Sequence, residues 1–262
     1  MSTSFMDIGV PRARRFFAIL LAVVGLLIGV IAVPPAQAAV DPLPNPDFPQ
    51  ECGITVAIVL DTSNSIVRDN AANPGLMKDA AKVVVNALTG TPSTVGVFSF
   101  RTLSTTEIGY TDISNAANAT AVNGAIDATD FSIAGPTDPN PGGTNWEAGF
   151  LEAGTSPDVV IFATDGNPTT RNDDVANDPG QTADPEDLDA GVTAANSIKA
   201  AGGKIIAVGI GGSVITANLL SISGPNLNDD YFVADFDTLA ASLRQIALRL
   251  CAPSVTVKKL VN

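Results

Sequence analysis

Residues 53–65 read GITVAIVLDTSNS: an apolar, largely β-branched run, Gly53–Leu60, passes directly into Asp61-Thr62-Ser63-Asn64-Ser65. A strand with one wet face alternates polar and apolar side chains. A run that stays apolar suits a strand covered on both faces, which means a mostly parallel sheet. Thr94–Phe100 (TVGVFSF), Asp158–Thr164 (DVVIFAT) and Lys204–Ile210 (KIIAVGI) read the same way, and Asp230–Phe236 (DYFVADF) is a later candidate. Glu107–Tyr110 is a weaker one, expected to form an edge hairpin with Thr94–Phe100.

Helical spacing fills the intervals. Leu76–Leu88 places Leu76, Ala80, Val83, Val84 and Leu88 on one face, and Leu188–Ala201 runs into Gly202-Gly203, a helix-stop signal. Leu239–Leu250 has the same spacing, and Ala119–Ala128 and Trp146–Ala153 are shorter helix candidates. Alternating strands and helices predict a doubly wound α/β fold. Its central sheet should have about six strands, one of them an antiparallel edge strand, with helices on both faces.

Two of the buried strands run into aspartate: Leu60-Asp61 and Thr164-Asp165-Gly166. In such sheets ligands bind beyond the carboxyl ends of the strands, where the strand order reverses. If the first strand and Asp158–Thr164 flank that reversal, Asp61 and Asp165 converge. Two converging carboxylates need a cation or a shared proton. Ser63 and Ser65, two apart, turn their hydroxyls to one side, and Gly142-Gly143 bring the backbone close before a third hydroxyl, Thr144. An all-oxygen set selects a hard cation; Mg²⁺ fits best, with Mn²⁺ or Ca²⁺ as alternatives.

The pattern Asp61-x-Ser63-x-Ser65, then Thr144, then Thr164-Asp165-Gly166 closely resembles the metal-ion-dependent adhesion site (MIDAS) of von Willebrand factor type A domains, over roughly residues 52–251. The resemblance implies Ser63, Ser65 and Thr144 as direct ligands, with Asp61 and Asp165 acting largely through water. It also implies a partner protein that offers a Glu or Asp carboxylate to the metal, in a binding module rather than an enzyme. A structural or assembly module with a purely stabilising metal is the alternative, and a metal-dependent hydrolase is a more distant one. Singly, each residue has a plainer reading: Ser63 or Ser65 as a loop or N-cap hydroxyl, Thr144 as a helix cap, Asp165-Gly166 as a turn, Trp146 as packing.

Composition narrows the chemistry. The 262 residues include 14 Lys+Arg, 27 Asp+Glu and no histidine, a formal charge of −13. Histidine-dependent catalysis and imidazole-bound zinc are excluded. A concentrated basic face for nucleic acid is not expected. A phosphatase of the haloacid dehalogenase type wants a second acid where Ser63 stands. A serine hydrolase lacks both its base and a G-x-S-x-G segment. The acidic stretch Asn172–Asp189 lacks a regular calcium-loop pattern and reads as a solvated surface loop.

Arg12, Arg14 and Arg15 precede the uncharged 18-residue run Phe16–Val33, followed by Pro34-Pro35 and Ala36-Gln37-Ala38. This order reads as a secretory signal peptide over residues 1–38, with a retained membrane anchor as the alternative. Cleavage would remove three arginines and Asp7, taking the net charge from −13 to −15, and leave a secreted or surface-displayed chain with no further membrane insertion. Residues 39–51, with four prolines, read as a poorly ordered linker. In an oxidising compartment the two cysteines, Cys52 and Cys251, have one intramolecular pairing, which would tie the start of a 52–252 domain to its end. Residues 253–262 (PSVTVKKLVN) alternate like the first strand of a following β-sandwich, which would make the chain either the front of a longer surface protein or a shortened form of one.

Overall fold

The computed structural model describes residues 40–49, 53–178, 180 and 182–250. The expected signal peptide, the Cys52–Cys251 pairing and the tail after Pro253 lie outside the described residues. Among those described, no helix is long and apolar enough to cross a membrane.

Six strands form one sheet: β1 (Thr55–Asp61), β2 (Thr94–Phe100), β3 (Ser104–Asp112), β4 (Val159–Thr164), β5 (Lys204–Ile210) and β6 (Tyr231–Ala234), in the order β3-β2-β1-β4-β5-β6. All pairings are parallel except β2 with the edge strand β3. The order reverses between β1 and β4, as the placement of Asp61 and Asp165 requires. The register Leu60↔Ala163 brings the two carboxyl ends level, so Asp61 lies beside Thr164.

Alternate residues of each strand feed two cores. Val56, Ile58 and Leu60 of β1 face α2 (Asn73–Leu88), α3 (Ala116–Ala128) and α7 (Phe236–Leu250). Ala57 and Val59 face α4 (Trp146–Ala153), α5 (Pro185–Ala200) and α6 (Thr216–Ile222). Trp146 is fully buried and meets Phe162 edge-on at 5.8 Å, which fits the packing reading.

The sequence expectations hold for element type and miss mainly at the ends. Helix α5 starts earlier than Leu188 because Asp184 and Asp187 form a capping box around Pro185 in the first turn. Pro74 likewise extends α2 back to Asn73. Two short helices, α1 (Asn64–Asp69) and α6, carry too few turns to show a period.

Residues 40–49 are more engaged than their prolines suggest. They form neither helix nor strand, yet they dock along the domain. The Asn196 amide accepts from Leu43 N–H at 2.8 Å and donates to the Asp41 carbonyl at 2.9 Å. Asn45 does the same from the segment side, donating to the Ile205 carbonyl at 2.8 Å and accepting its N–H at 2.9 Å. Strand β6 pairs with β5 only from Ala207 onward, so the Asn45 amide occupies the place of a strand partner one step earlier. Beneath it Lys204, 2% exposed, pairs with Asp230 at 2.8 Å and donates to the Pro46 carbonyl. The Phe48 ring meets both Lys204 and Arg249, whose charged ends stand 4.7 and 4.6 Å from its centre. Proline spacing reports backbone stiffness; it carries no record of these side-chain contacts.

Candidate metal centre

At the opposite end of the strands, the loops after β1 and β4 meet. Asp61, fully buried, accepts the Ser63 N–H at 2.8 Å on one oxygen and the Thr164 hydroxyl at 2.6 Å on the other. The Ser63 and Ser65 hydroxyls are 3.0 Å apart, and Ser65 donates to Asp165 Oδ1 at 2.8 Å. Asp165 Oδ2 is buried with no hydrogen-bond partner. Thr144 is 5% exposed, and its hydroxyl is 3.7 Å from where a Cβ on Gly166 would stand. Ser65, Thr144 and Gly166 line one cleft of about 410 Å³. The five residues predicted from the sequence are therefore brought to one mouth, four of them by a continuous chain of polar contacts.

Neither helix start uses these hydroxyls as caps. Ser63 precedes α1 without a side-chain cap bond. Asn145, rather than Thr144, caps α4 by accepting the Ala148 N–H at 3.0 Å. The Asn145 amide also donates to the Thr102 carbonyl, which fixes the backbone beside Thr144.

Of the surrounding braces, Asn64 and Gly142 act on residues distant in sequence or on each other's side chains, which no local motif announces. Asn64 exchanges two hydrogen bonds with the Ala134 backbone, 70 residues away. Gly142 lies so close to Asn64 that a Cβ would fall 2.0 Å from its amide nitrogen. Thr169 holds Thr144 from both sides, its N–H on the Thr144 carbonyl and its hydroxyl on the Thr144 N–H. Thr169 and Thr164 flank the predicted Asp165, and that proximity was the available signal for both.

Burial raises the Asp61 carboxyl above its ordinary range, against the bonds from Ser63 and Thr164. Burial, then the Asp61 charge, pushes Asp165 up to about 8, with the Ser65 bond opposing and Asp69 adding to the rise. The pair carries more negative charge than its surroundings neutralise. One carboxylate oxygen with nothing to accept from, beside three hydroxyls, fits a small hard cation. No group of three or more His, Cys, Asp or Glu able to hold a metal occurs among the described residues, so any ion here depends on hydroxyl oxygens. The acidic stretch is organised instead by Arg171, which pairs with Asp173, Asp174 and Asp187, as suits a surface loop.

Comparison with solved structures places the fold. The vWF domain of the type V pili tip protein Mfa5 from Porphyromonas gingivalis is similar with a TM-score of 0.59 and 14% identity, covering 79% of this chain and 99% of that one. The pilus adhesin SpaC from Lactobacillus rhamnosus GG gives 0.58 and 20%, covering 79% and 31%. Proximal thread matrix protein 1 from the mussel byssus, with a zinc-occupied MIDAS motif, gives 0.56 and 22%, covering 77% and 49%. The match thus spans about half the length of the byssus protein. No curated protein matches this sequence. The family model for the von Willebrand factor type A domain matches residues 55–245, and the chain belongs to that family.

Proposed function

We propose that this domain captures a protein ligand through a divalent cation at the mouth between β1 and β4. Ser63, Ser65 and Thr144 would hold the ion directly, with Asp61 and Asp165 acting largely through water. The observation that carries this reading is the buried, unpartnered Asp165 Oδ2 at the end of the Asp61–Ser63–Ser65 cluster. Mg²⁺ suits the oxygen set best. A bound divalent ion supplies a position for an anionic oxygen, because neutral hydroxyl ligands leave its charge poorly balanced at close range. A Glu or Asp side chain of the partner meets that need. The pilus proteins among the similar structures support an adhesive role.

The wider context follows the same reading: a leader cleaved after Ala38, display outside the cell, and a 52–252 domain closed by Cys52–Cys251. The byssus matrix protein favours a second reading, in which the metal only stabilises a structural module. Calorimetric titration with Mg²⁺, and pull-down of surface proteins with Mg²⁺ or EDTA, separate the two. Capture that requires Mg²⁺ and disappears in Ser63→Ala supports the adhesive reading. Metal binding with thermal stabilisation but no metal-dependent capture supports the structural one. Capture that persists in EDTA contradicts the metal mechanism.

A further inference from the structure

Ser65 sits on α1, a helix of under two turns, and the residues three and four positions on are Arg68 and Asp69. Side chains at those spacings share a helix face, with Cβ atoms about 5–6 Å apart. Both residues are exposed, and both line the cleft that holds Ser65, Thr144 and Gly166. Arg68 is the one basic side chain in that lining, and it makes no ion pair or hydrogen bond to the described residues. Among the described residues, in a chain of net charge −13, this guanidinium pairs with none of the acids and lines the cleft instead.

The two rim residues are not equivalent. Asp69 lines the metal cleft, and its charge is felt at Asp165. Arg68 also lines an adjoining depression of about 290 Å³, bordered by Pro136 and Pro141 and sharing Gly142, Gly143 and Gly180 with the cleft. Moving outward from Ser65, a partner therefore meets both charges on the rim, with the positive one where the groove continues into the depression.

We propose that Arg68 is a specificity-determining residue. The partner segment presents two anionic groups a short side-chain length apart, one at the metal and one on the Arg68 guanidinium, and continues into the proline-bordered depression. This rests on the metal-dependent reading above. A plainer role for Arg68, countering the carbonyl end of α1, needs only its charge and predicts no preference among ligands. The guanidinium fork suits a carboxylate bidentately, so lysine is an incomplete substitute.

The test titrates Mg²⁺-loaded protein with acetate and with glutarate, followed by amide chemical shifts, and measures Mg²⁺ affinity separately by calorimetry. Wild-type protein is expected to bind glutarate about tenfold more tightly than acetate, the effect of one charge-assisted contact. In Arg68→Ala the ratio should fall to about two, the statistical advantage of a second carboxylate, while Mg²⁺ affinity holds or rises, because the lost guanidinium repels the cation. Arg68→Lys should fall between. A wild-type ratio of about two, or one that survives Arg68→Ala, overturns the proposal while leaving the metal centre intact. Failure of wild-type protein to bind Mg²⁺ overturns the metal centre itself, and this proposal with it.

Discussion

Ser65 Oγ donates to Asp165 Oδ1 at 2.8 Å across 100 residues of sequence, joining the loop after β1 to the loop after β4 where the strand order reverses. The other oxygen of the same carboxylate is buried with nothing to accept from. That asymmetry makes the mouth costly to keep without a cation and sets its response to pH.

In metal-free protein the folded state holds a proton on Asp165 up to about 8, whereas an unfolded aspartate releases it near its ordinary value of 3.8. Between those values the folded state binds more protons, so stability falls as pH rises. Thermal melts in EDTA should lose about 4–8 °C between pH 5 and pH 8, corresponding to about 2 kcal/mol in a domain of this size. Excess Mg²⁺ should flatten the slope. A flat profile in EDTA would contradict the desolvated carboxylate.

Asp165→Asn keeps the shape and the acceptor for Ser65 but removes the charge. Melts in EDTA at pH 8 should show it more stable than wild type, by about 1 kcal/mol or more. The same variant should lose the stabilisation that Mg²⁺ gives wild-type protein. A variant less stable than wild type in EDTA, or still stabilised by Mg²⁺, would show that the carboxylate has another role.

The docked segment 40–49 lies at the other end of the strands. Asn45→Ala removes both bonds to the Ile205 backbone and is expected to cost about 1–3 kcal/mol in urea unfolding. Deletion of residues 40–49 should cost more, because it also exposes the Lys204–Asp230 pair. Mg²⁺ affinity should be unchanged in both. Loss of metal binding on either change would mean that the two ends are coupled.

Lys199 is 5% exposed, and burial lowers its ammonium to about 8, with the Asp230 charge opposing. Below that value the folded state carries a charge it poorly solvates. Between about 8 and the ordinary lysine value of 10.5 the unfolded chain binds more protons, so this group makes stability rise with pH there. Lys199→Met should therefore stabilise the domain at pH 7, on the order of 2 kcal/mol, and the gain should shrink at pH 10. Paired urea titrations at the two pH values check this.

Much of the architecture was legible because its signals are local. The buried strands run apolar straight into Asp61 and Asp165, and the register Leu60↔Ala163 then brings the two together. The five oxygen-bearing residues were legible through their spacing on that frame. What was not legible depends on distant or very short features. Asn45 and Ile205 are 160 residues apart, and nothing near either foretells the pairing. Helix α1, which puts Arg68 on the rim, has six residues and no measurable period. Asp230 reads as the start of a strand, yet β6 begins at Tyr231 and Asp230 turns to Lys204.

The most direct measurement is diffraction from Mn²⁺-soaked crystals, collected at the manganese edge. The expected result is one anomalous peak bonded to the Ser63 and Ser65 hydroxyls, at oxygen distances of about 2.1–2.3 Å, with Asp165 reaching it directly or through water. No peak at that mouth, or manganese held instead by the acidic loop around Arg171, would contradict the account.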